Sequence, residues 1–349
     1  MPLRPLSPRA RRWLLRLMLL TASSAVSLLL MEAAVRVLLP HYSPRAQIMF
    51  EVQPDGVALG RRGTTVRQAN SKGDFDVSVT FNQLGLRDRK DLRAAKPGAL
   101  FAVGDSFTMG WGVEEEERFS SQLERLLGEP VFNVAIPTDL RGYQRLLAYT
   151  EEQGVRVTRL VLGVCMENDL RDYRDRSPAR PAPPRAPAQP APTGRAKRWL
   201  KTHSALFIAA CHNLQKILFI RHALEAAGLA KDGEVIHMQN IFNETMLASC
   251  RDEVLRLAKD REVTVLLIPA RGLWLGSNQE IERRVHAHFA ALLRDAGLRV
   301  VDPAPRFEHD GPPLGCYFKA DPHWNARGHR VAAEELAKAM KPGPATKAP

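Results

Sequence analysis

Residues 99–106 read Ala99-Leu100-Phe101-Ala102-Val103-Gly104-Asp105-Ser106, an apolar run that ends at a turn carrying a serine. A short apolar run closed by a turn is the pattern of a strand buried on both faces. Two later stretches follow the same logic. Asn168-Asp169 comes just after the apolar run 160–164, and Asp321-Pro322-His323 stands before a helical pattern near the C-terminus. A hydroxyl, a carboxamide and an acid–imidazole pair therefore each sit just past a strand or just before a helix. If the strands are parallel neighbours, all of these groups share one edge of one sheet.

Working outward from Ser106, the chain alternates between strand and helix patterns from residue 98 onward. Strands are expected at 100–103, 131–134, 160–164, 263–268 and 298–301. Helices are expected at 116–127, 143–152, 240–259, 279–296 and 326–340; Phe119, Leu123 and Leu126 share one face of the first. Five such strands separated by helices imply an α/β domain over 98–340 with a doubly wound parallel sheet. Ligands bind these sheets at the carboxyl ends of the strands, where every motif above falls.

Two segments interrupt or precede this alternation. Residues 177–198 are dense in proline, alanine and arginine, the composition of an extended, disordered insertion. Residues 199–229 follow as an apolar helical pattern, either packed on the sheet or serving as a lid or membrane-facing surface. Residues 40–97 are a polar lead-in with one expected strand, in which Phe75, Val77, Val79 and Phe81 alternate with polar residues. Residues 341–349 read as a loose tail.

The formal charge of +12 suggests nucleic acid until it is located. Residues 1–16 contribute +5 and residues 174–201 contribute +7, so the rest of the chain is neutral. A folded domain without a basic face is not a nucleic-acid binder. Residues 1–12 form a basic, cytoplasmic N-terminus, and 13–39 read as a transmembrane signal anchor broken only by Arg16, Glu32 and Arg36. The apolar run continues past the small residues Ser23-Ser24-Ala25, which favours an anchor over a cleaved signal peptide. This topology predicts a single-pass protein of the inner membrane with its main domain outside the cytoplasm. Cys165, Cys211, Cys250 and Cys316 have no metal-ligand spacing, and one disulfide among them is compatible with that compartment.

Serine needs a base to become a nucleophile, and histidine supplies one near neutral pH. A carboxylate on the second ring nitrogen fixes the tautomer, and preorganised donors hold the oxyanion. Ser106, His323 and Asp321 suit the first three roles, with Asp302 as a reserve carboxylate. The Ser106 N–H and the Asn168 side chain suit the last. Asp105 is expected to be structural, His329 to start a helix, and His286 and His288 to be solvated on one helix. Trp111, between Gly110 and Gly112, either lines the acyl pocket or closes a turn. No phosphate loop, Gly-x-Ser-x-Gly elbow or histidine metal cluster is present, so no cofactor or metal is expected.

Four strings carry a family resemblance: residues 103–112 with Gly104-Asp105-Ser106, Asn133-Val134-Ala135-Ile136-Pro137-Thr138, residues 162–169 with Asn168, and residues 321–329 with Asp321 and His323. In order and in spacing to the strands they resemble the four blocks of the SGNH (GDSL) hydrolase superfamily. The anchor and Asn82…Gly85-Leu86-Arg87 resemble a membrane-anchored bacterial subgroup. The resemblance implies a flavodoxin-like sheet, a Ser106–His323–Asp321 triad, and oxyanion donors at Ser106, Thr138 and Asn168. The sequence departs from the family at two points. Threonine replaces the usual glycine at 138, and Pro322 alone separates Asp321 from His323, a spacing found with a following tryptophan in acyl-transfer relatives. The expected function is a serine esterase or deacylase acting on an acyl ester, with acetyl the expected group, of an envelope glycan or lipid. The rivals are an O-acyltransferase using the same site and a catalytically silent glycan- or partner-binding module, which Thr138 keeps in play.

Overall fold

The computed structural model describes residues 7–44, 47–70, 72–170, 199–214 and 244–341. The proline-rich insertion, residues 215–229 of the helical stretch, the start of the 240–259 helix and the tail after 341 lie outside the described residues.

Helix α1 (Pro8–Leu38) begins inside the basic segment and continues through the apolar run. Its stretch Arg11–Leu38 is 28 residues long, about 42 Å at 1.5 Å per residue. That is more than the ~30 Å of a bilayer's hydrocarbon core. Its large apolar side chains, Trp13, Leu19 and Leu29 among them, are exposed, so no protein core explains their composition.

The lead-in carries four strands rather than one. β1 (Phe50–Val52) pairs antiparallel with β2 (Ala58–Gly60), and β3 (Thr64–Ala69) with β4 (Asp76–Phe81). β4 is the strand whose alternation is visible in the sequence. Its partner reads Thr-Thr-Val-Arg-Gln-Ala, with Val66 the only large apolar side chain, so no period-two signal marks it. Val57, Leu59, Val66, Val79 and Phe81 are buried in the same core as the α/β domain, so the two hairpins are packed onto it.

In that domain the chain runs β5 (Leu100–Val103), α2 (Ser106–Met109), α3 (Phe119–Leu127), β6 (Val131–Asn133), α4 (Leu140–Glu152) and β7 (Arg159–Cys165). It continues through α5 (Ala205–Leu214), α6 (Glu244–Ala258), β8 (Glu262–Ile268), α7 (Gln279–Asp295), β9 (Arg299–Val301), α8 (Ala304–His309) and α9 (Ala326–Met340). The five strands form one parallel sheet in the order β6-β5-β7-β8-β9, the flavodoxin-like order. Both faces are covered, which is why the strands read as unbroken apolar runs. Phe101, Val103, Leu160 and Leu162 belong to one core; Leu100, Ala102 and Val161 belong to the other, with Phe119, Leu123 and Leu336 from α3 and α9. The strand order reverses at β5, so a crevice opens at the carboxyl ends of β5 and its neighbours. Ser106 follows β5 and Asn168 follows β7.

Candidate active site

The turn after β5 is built for close approach. A Cβ on Gly104 would lie 2.1 Å from Thr108 Oγ1, and Thr108 is fully buried between Gly104 and Gly163. Asp105 is the N-cap of α2; its carboxylate accepts from Phe107 N at 2.9 Å. Ser106 is therefore the first residue inside the helix, not its cap, and its N–H belongs to the set a helix start leaves without an intrahelical partner. Asn133, the last residue of β6, steadies the turn by donating to Thr108 O at 2.7 Å and Ser120 Oγ at 2.9 Å.

Ser106 Oγ lies 2.7 Å from His323 Nε2, and His323 Nδ1 lies 2.6 Å from Asp321 Oδ1. Burial pushes the Asp321 carboxyl up, but the bonds from the His323 ring and backbone and the charge of that ring outweigh it, so it sits below its ordinary value. A carboxylate can only accept, so Nδ1 carries the proton, Nε2 offers its lone pair, and the serine hydroxyl donates to it. The short Asp-Pro-His spacing is no obstacle. Asp321 Oδ1 also accepts from His323 N at 3.0 Å, so one oxygen holds both the backbone and the ring of the residue two places on. Behind the loop, Trp324 is fully buried edge-on to Phe107 and Phe307. Asn325 caps α9 through Arg327 N and Gly328 N.

A cleft of about 450 Å³ opens at Ser106, lined by Asp105, Pro137, Thr138, Arg145 and Asn168. Asn168 Nδ2 donates to Asp105 Oδ2 at 3.3 Å, which spends one of its two N–H groups and aims the amide into the site. Burial holds the Asp105 carboxyl above its ordinary value. Thr138 makes no hydrogen bond among the described residues. Its backbone avoids the left-handed region, where Asp260 is the non-glycine residue found among the described residues. The crowding that threonine brings is relieved by a neighbour: a Cβ on Gly142 would fall 1.9 Å from Thr138 Oγ1. Thr138 thus occupies space that the glycine at 142 leaves empty.

Trp111, expected to line the acyl pocket or close a turn, stacks its ring on His323, centroids 5.6 Å apart and planes at 26°, and Phe107 lies 4.7 Å from the same ring. Other residues around the site had no visible role in the sequence. Buried Arg87 donates to Gly110 O and to Val113 O (2.6 Å), fixing the loop that presents Trp111. Burial, followed by repulsion from Arg118, brings its pKa down to about 10. The lead-in reaches the base loop as well: Asp74 Oδ2 accepts from Ala320 N at 2.9 Å, and the Phe75 and Phe318 rings lie 5.0 Å apart.

Asp302 does not face His323; it bonds His286 Nε2 at 2.8 Å. His286 is also a correction, because it is buried rather than solvated. Glu282, His286, Phe289 and Leu293 recur at helical spacing and are all buried, a periodicity that was readable in the sequence. His288 is exposed and pairs with Glu244 at 3.0 Å. His329 sits in the first turn of α9, buried, and accepts from Phe119 N at 3.3 Å. The four cysteines are free thiols, three of them buried.

The family model described as "SGNH hydrolase-like domain, acetyltransferase AlgX" matches residues 238–348, the part that carries Asp321 and His323. Over those residues the chain is similar to SGNH hydrolase-like domains. Its solved structural neighbours include a lipolytic protein of the G-D-S-L family from Veillonella parvula, with 13% identity, covering 69% of this chain and 97% of that one at a TM-score of 0.40. A catalytic mutant of an acetylxylan esterase from Geobacillus stearothermophilus has 13% identity and covers 72% and 97%, with a TM-score of 0.38. A carbohydrate esterase family 2 enzyme from Corynascus thermopiles has 14% identity and covers 70% and 66%, with a TM-score of 0.33. No curated protein matches the chain.

Proposed function

We propose that the chain is a membrane-anchored, extracytoplasmic serine esterase that removes an O-acyl group, such as acetyl, from a cell-envelope glycan or lipid. The observation that carries this reading is the continuous chain Ser106 Oγ–His323–Asp321, with links of 2.7 and 2.6 Å. His323 Nε2 takes the hydroxyl proton as Ser106 Oγ bonds to the carbonyl carbon. The resulting oxyanion lies against the Ser106 N–H, the Thr138 N–H and the free N–H of Asn168. When the ester C–O bond breaks, His323 returns its proton to the departing alcohol. Water then gives a proton to His323 Nε2 and attacks the acyl carbon; the Ser106 Oγ–acyl bond breaks, and His323 passes that proton to Ser106 Oγ as the acid leaves. Asp321 stabilises the imidazolium in both halves.

A second reading is supported by the family match over Asp321-Pro322-His323-Trp324, since that family is described as an acetyltransferase. A sugar hydroxyl would replace water in the second half-reaction with no change in the residues. The chain order, serine first and acid–histidine pair last, favours hydrolysis. The test is to incubate the full chain with an acetyl ester, with and without oligosaccharide acceptors, beside Ser106→Ala. Free acetate as the main product supports the esterase; acetylated acceptor supports transfer. No turnover in any arm supports the silent binding module.

A further inference from the structure

His323 stands between two different cavities. The cleft at Ser106 is polar, with Asp105, Asp139, Arg145 and Asn168 in its wall. The other, about 460 Å³, includes Trp111 and Asp321 in its lining, with an apolar wall from Ile48, Phe75, Phe207 and Ile208 and a polar one that includes Arg67 and Lys201. That volume is within the ~300–1,000 Å³ of small-molecule sites. Because the Trp111 ring stacks on His323, the second cavity is one ring away from the reacting atoms.

The wall supplied by α5 is fastened to the N-terminal helix. Glu32 Oε2 accepts from Ser204 Oγ at 2.8 Å and Leu206 N at 2.9 Å, and its Oε1 accepts from Ala205 N at 2.9 Å. Arg36 donates to Glu32 Oε1 at 2.7 Å and His203 O at 2.6 Å. At the other end of α5, Asn213 Nδ2 donates to Tyr42 OH at 3.0 Å. Glu32 is six residues, about 9 Å, from the C-terminal end of α1, so these contacts hold the cavity wall near that end, where an anchor helix would leave the bilayer. Gln68, 4% exposed, accepts from Gly112 N through its Oε1 at 3.0 Å and so ties β3 to the loop that presents Trp111.

We propose that this cavity holds the apolar chain of a membrane-borne ester, with the ester group reaching Ser106 past Trp111. The polar cleft then receives the glycan or water side of the reaction. This rests on the esterase reading and on α1 as a membrane anchor, and adds the substrate class: an amphiphile drawn from the bilayer rather than a free soluble ester.

The test uses the full chain in detergent micelles, with 4-nitrophenyl decanoate and 4-nitrophenyl acetate as probes. Ile208→Asp, and separately Glu32→Ala, should lower the decanoate-to-acetate ratio of kcat/KM by roughly tenfold or more, since the first places a charge in an apolar wall and the second frees α5. A ratio unchanged in both variants overturns the proposal. A second measurement does not depend on turnover: the Ser106→Ala chain is exposed to a decanoyl ester with a diazirine at the chain end. Labelling of peptides containing Phe207, Ile208 or Phe75 supports the proposal, and labelling confined to other peptides overturns it. A wild-type chain that is labelled there but hydrolyses neither probe refutes the esterase reading alone.

Discussion

The two sides of His323 are made from different parts of the chain and held by different forces. On the Ser106 side, every group stands at the carboxyl edge of the parallel sheet, and its position follows from strands buried on both faces. On the Trp111 side, the walls come from the lead-in and α5, and α5 is tied to Glu32 of α1 and to Tyr42 by polar contacts between residues more than 100 positions apart. If the esterase reading holds, chemistry and substrate choice have separate scaffolds: the sheet would set where the proton and oxyanion go, and α1 with the lead-in would set what can come near.

The largest effects should fall on the sheet side. Ser106→Ala and His323→Ala should each cut kcat about 10⁶-fold, because members of such a chain fail as a unit. Similar residual rates in the single and double variants would establish that unit behaviour; additive losses would break it. Asp321→Asn should cost about 10⁴-fold through the wrong tautomer. Asp302→Asn should leave kcat nearly unchanged, because Asp302 bonds His286 rather than His323. If the two carboxylates exchange these effects, the geometry drawn here for His323 is wrong.

Asn168→Ala should lower kcat about 10²- to 10³-fold with little change in KM, since its amide acts mainly on charge that appears in the transition state. A rise in KM with kcat intact would instead make Asn168 a binding residue of the polar cleft.

How far each side could be read in the sequence follows the same division. Leu100–Val103 and Ala326–Met340 fall where the apolar runs and helical spacing put them, because burial on both faces of a sheet leaves a dense local signal. Ser106, Asn168 and His323 were legible for the same reason: each is anchored to the end of such an element. β3 was not, since its inward side carries Val66 and Gln68 and its stability comes from pairing with β4. Glu32 reads as an interruption of an apolar run; only the fold supplies Ser204, Ala205 and Leu206 as its partners. His286 lay between these cases, on a buried helical stripe that was present in the sequence and left unused.

Acid should expose a weakness of the sheet side. Burial, helped by the charges of Arg87, His323 and Arg118, holds His329 down to about 3 against an ordinary 6.5. The unfolded chain therefore takes up a proton that the folded chain refuses, and stability falls as pH drops from about 6.5 toward 3 and is flat above. At pH 4.5 the loss from this residue is about 3 kcal/mol. Its Nδ1 accepts from Phe119 N, so protonation also breaks a buried contact. Urea unfolding in detergent at pH 7 and 4.5 should show this difference in wild type and a smaller one in His329→Gln. Equal pH dependence in the two would assign the acid sensitivity to Asp321 and Asp302, both held below their ordinary values.

The smallest effect tests whether Thr138 is a defect or an accommodated substitution. Thr138 keeps its N–H, lies outside the left-handed region and places its side chain where Gly142 has none. Thr138→Gly alone should therefore change kcat by less than about tenfold, well short of the loss of an oxyanion donor. Gly142→Ala alone should destabilise the first turn of α4, because its methyl would meet Thr138 Oγ1 at 1.9 Å, a contact that demands displacement. Overpacking of this kind typically costs about 1–3 kcal/mol. Combining the two changes removes the clash and leaves alanine in a helix, where it is favoured over glycine by about 1 kcal/mol. The double variant should then be at least as stable as Thr138→Gly, with an interaction energy of about 1–3 kcal/mol in the mutant cycle. Additive destabilisation in that cycle would mean that the two residues are not matched. A loss of activity in Thr138→Gly as deep as that of Asn168→Ala would mean that the threonine hydroxyl itself faces the oxyanion.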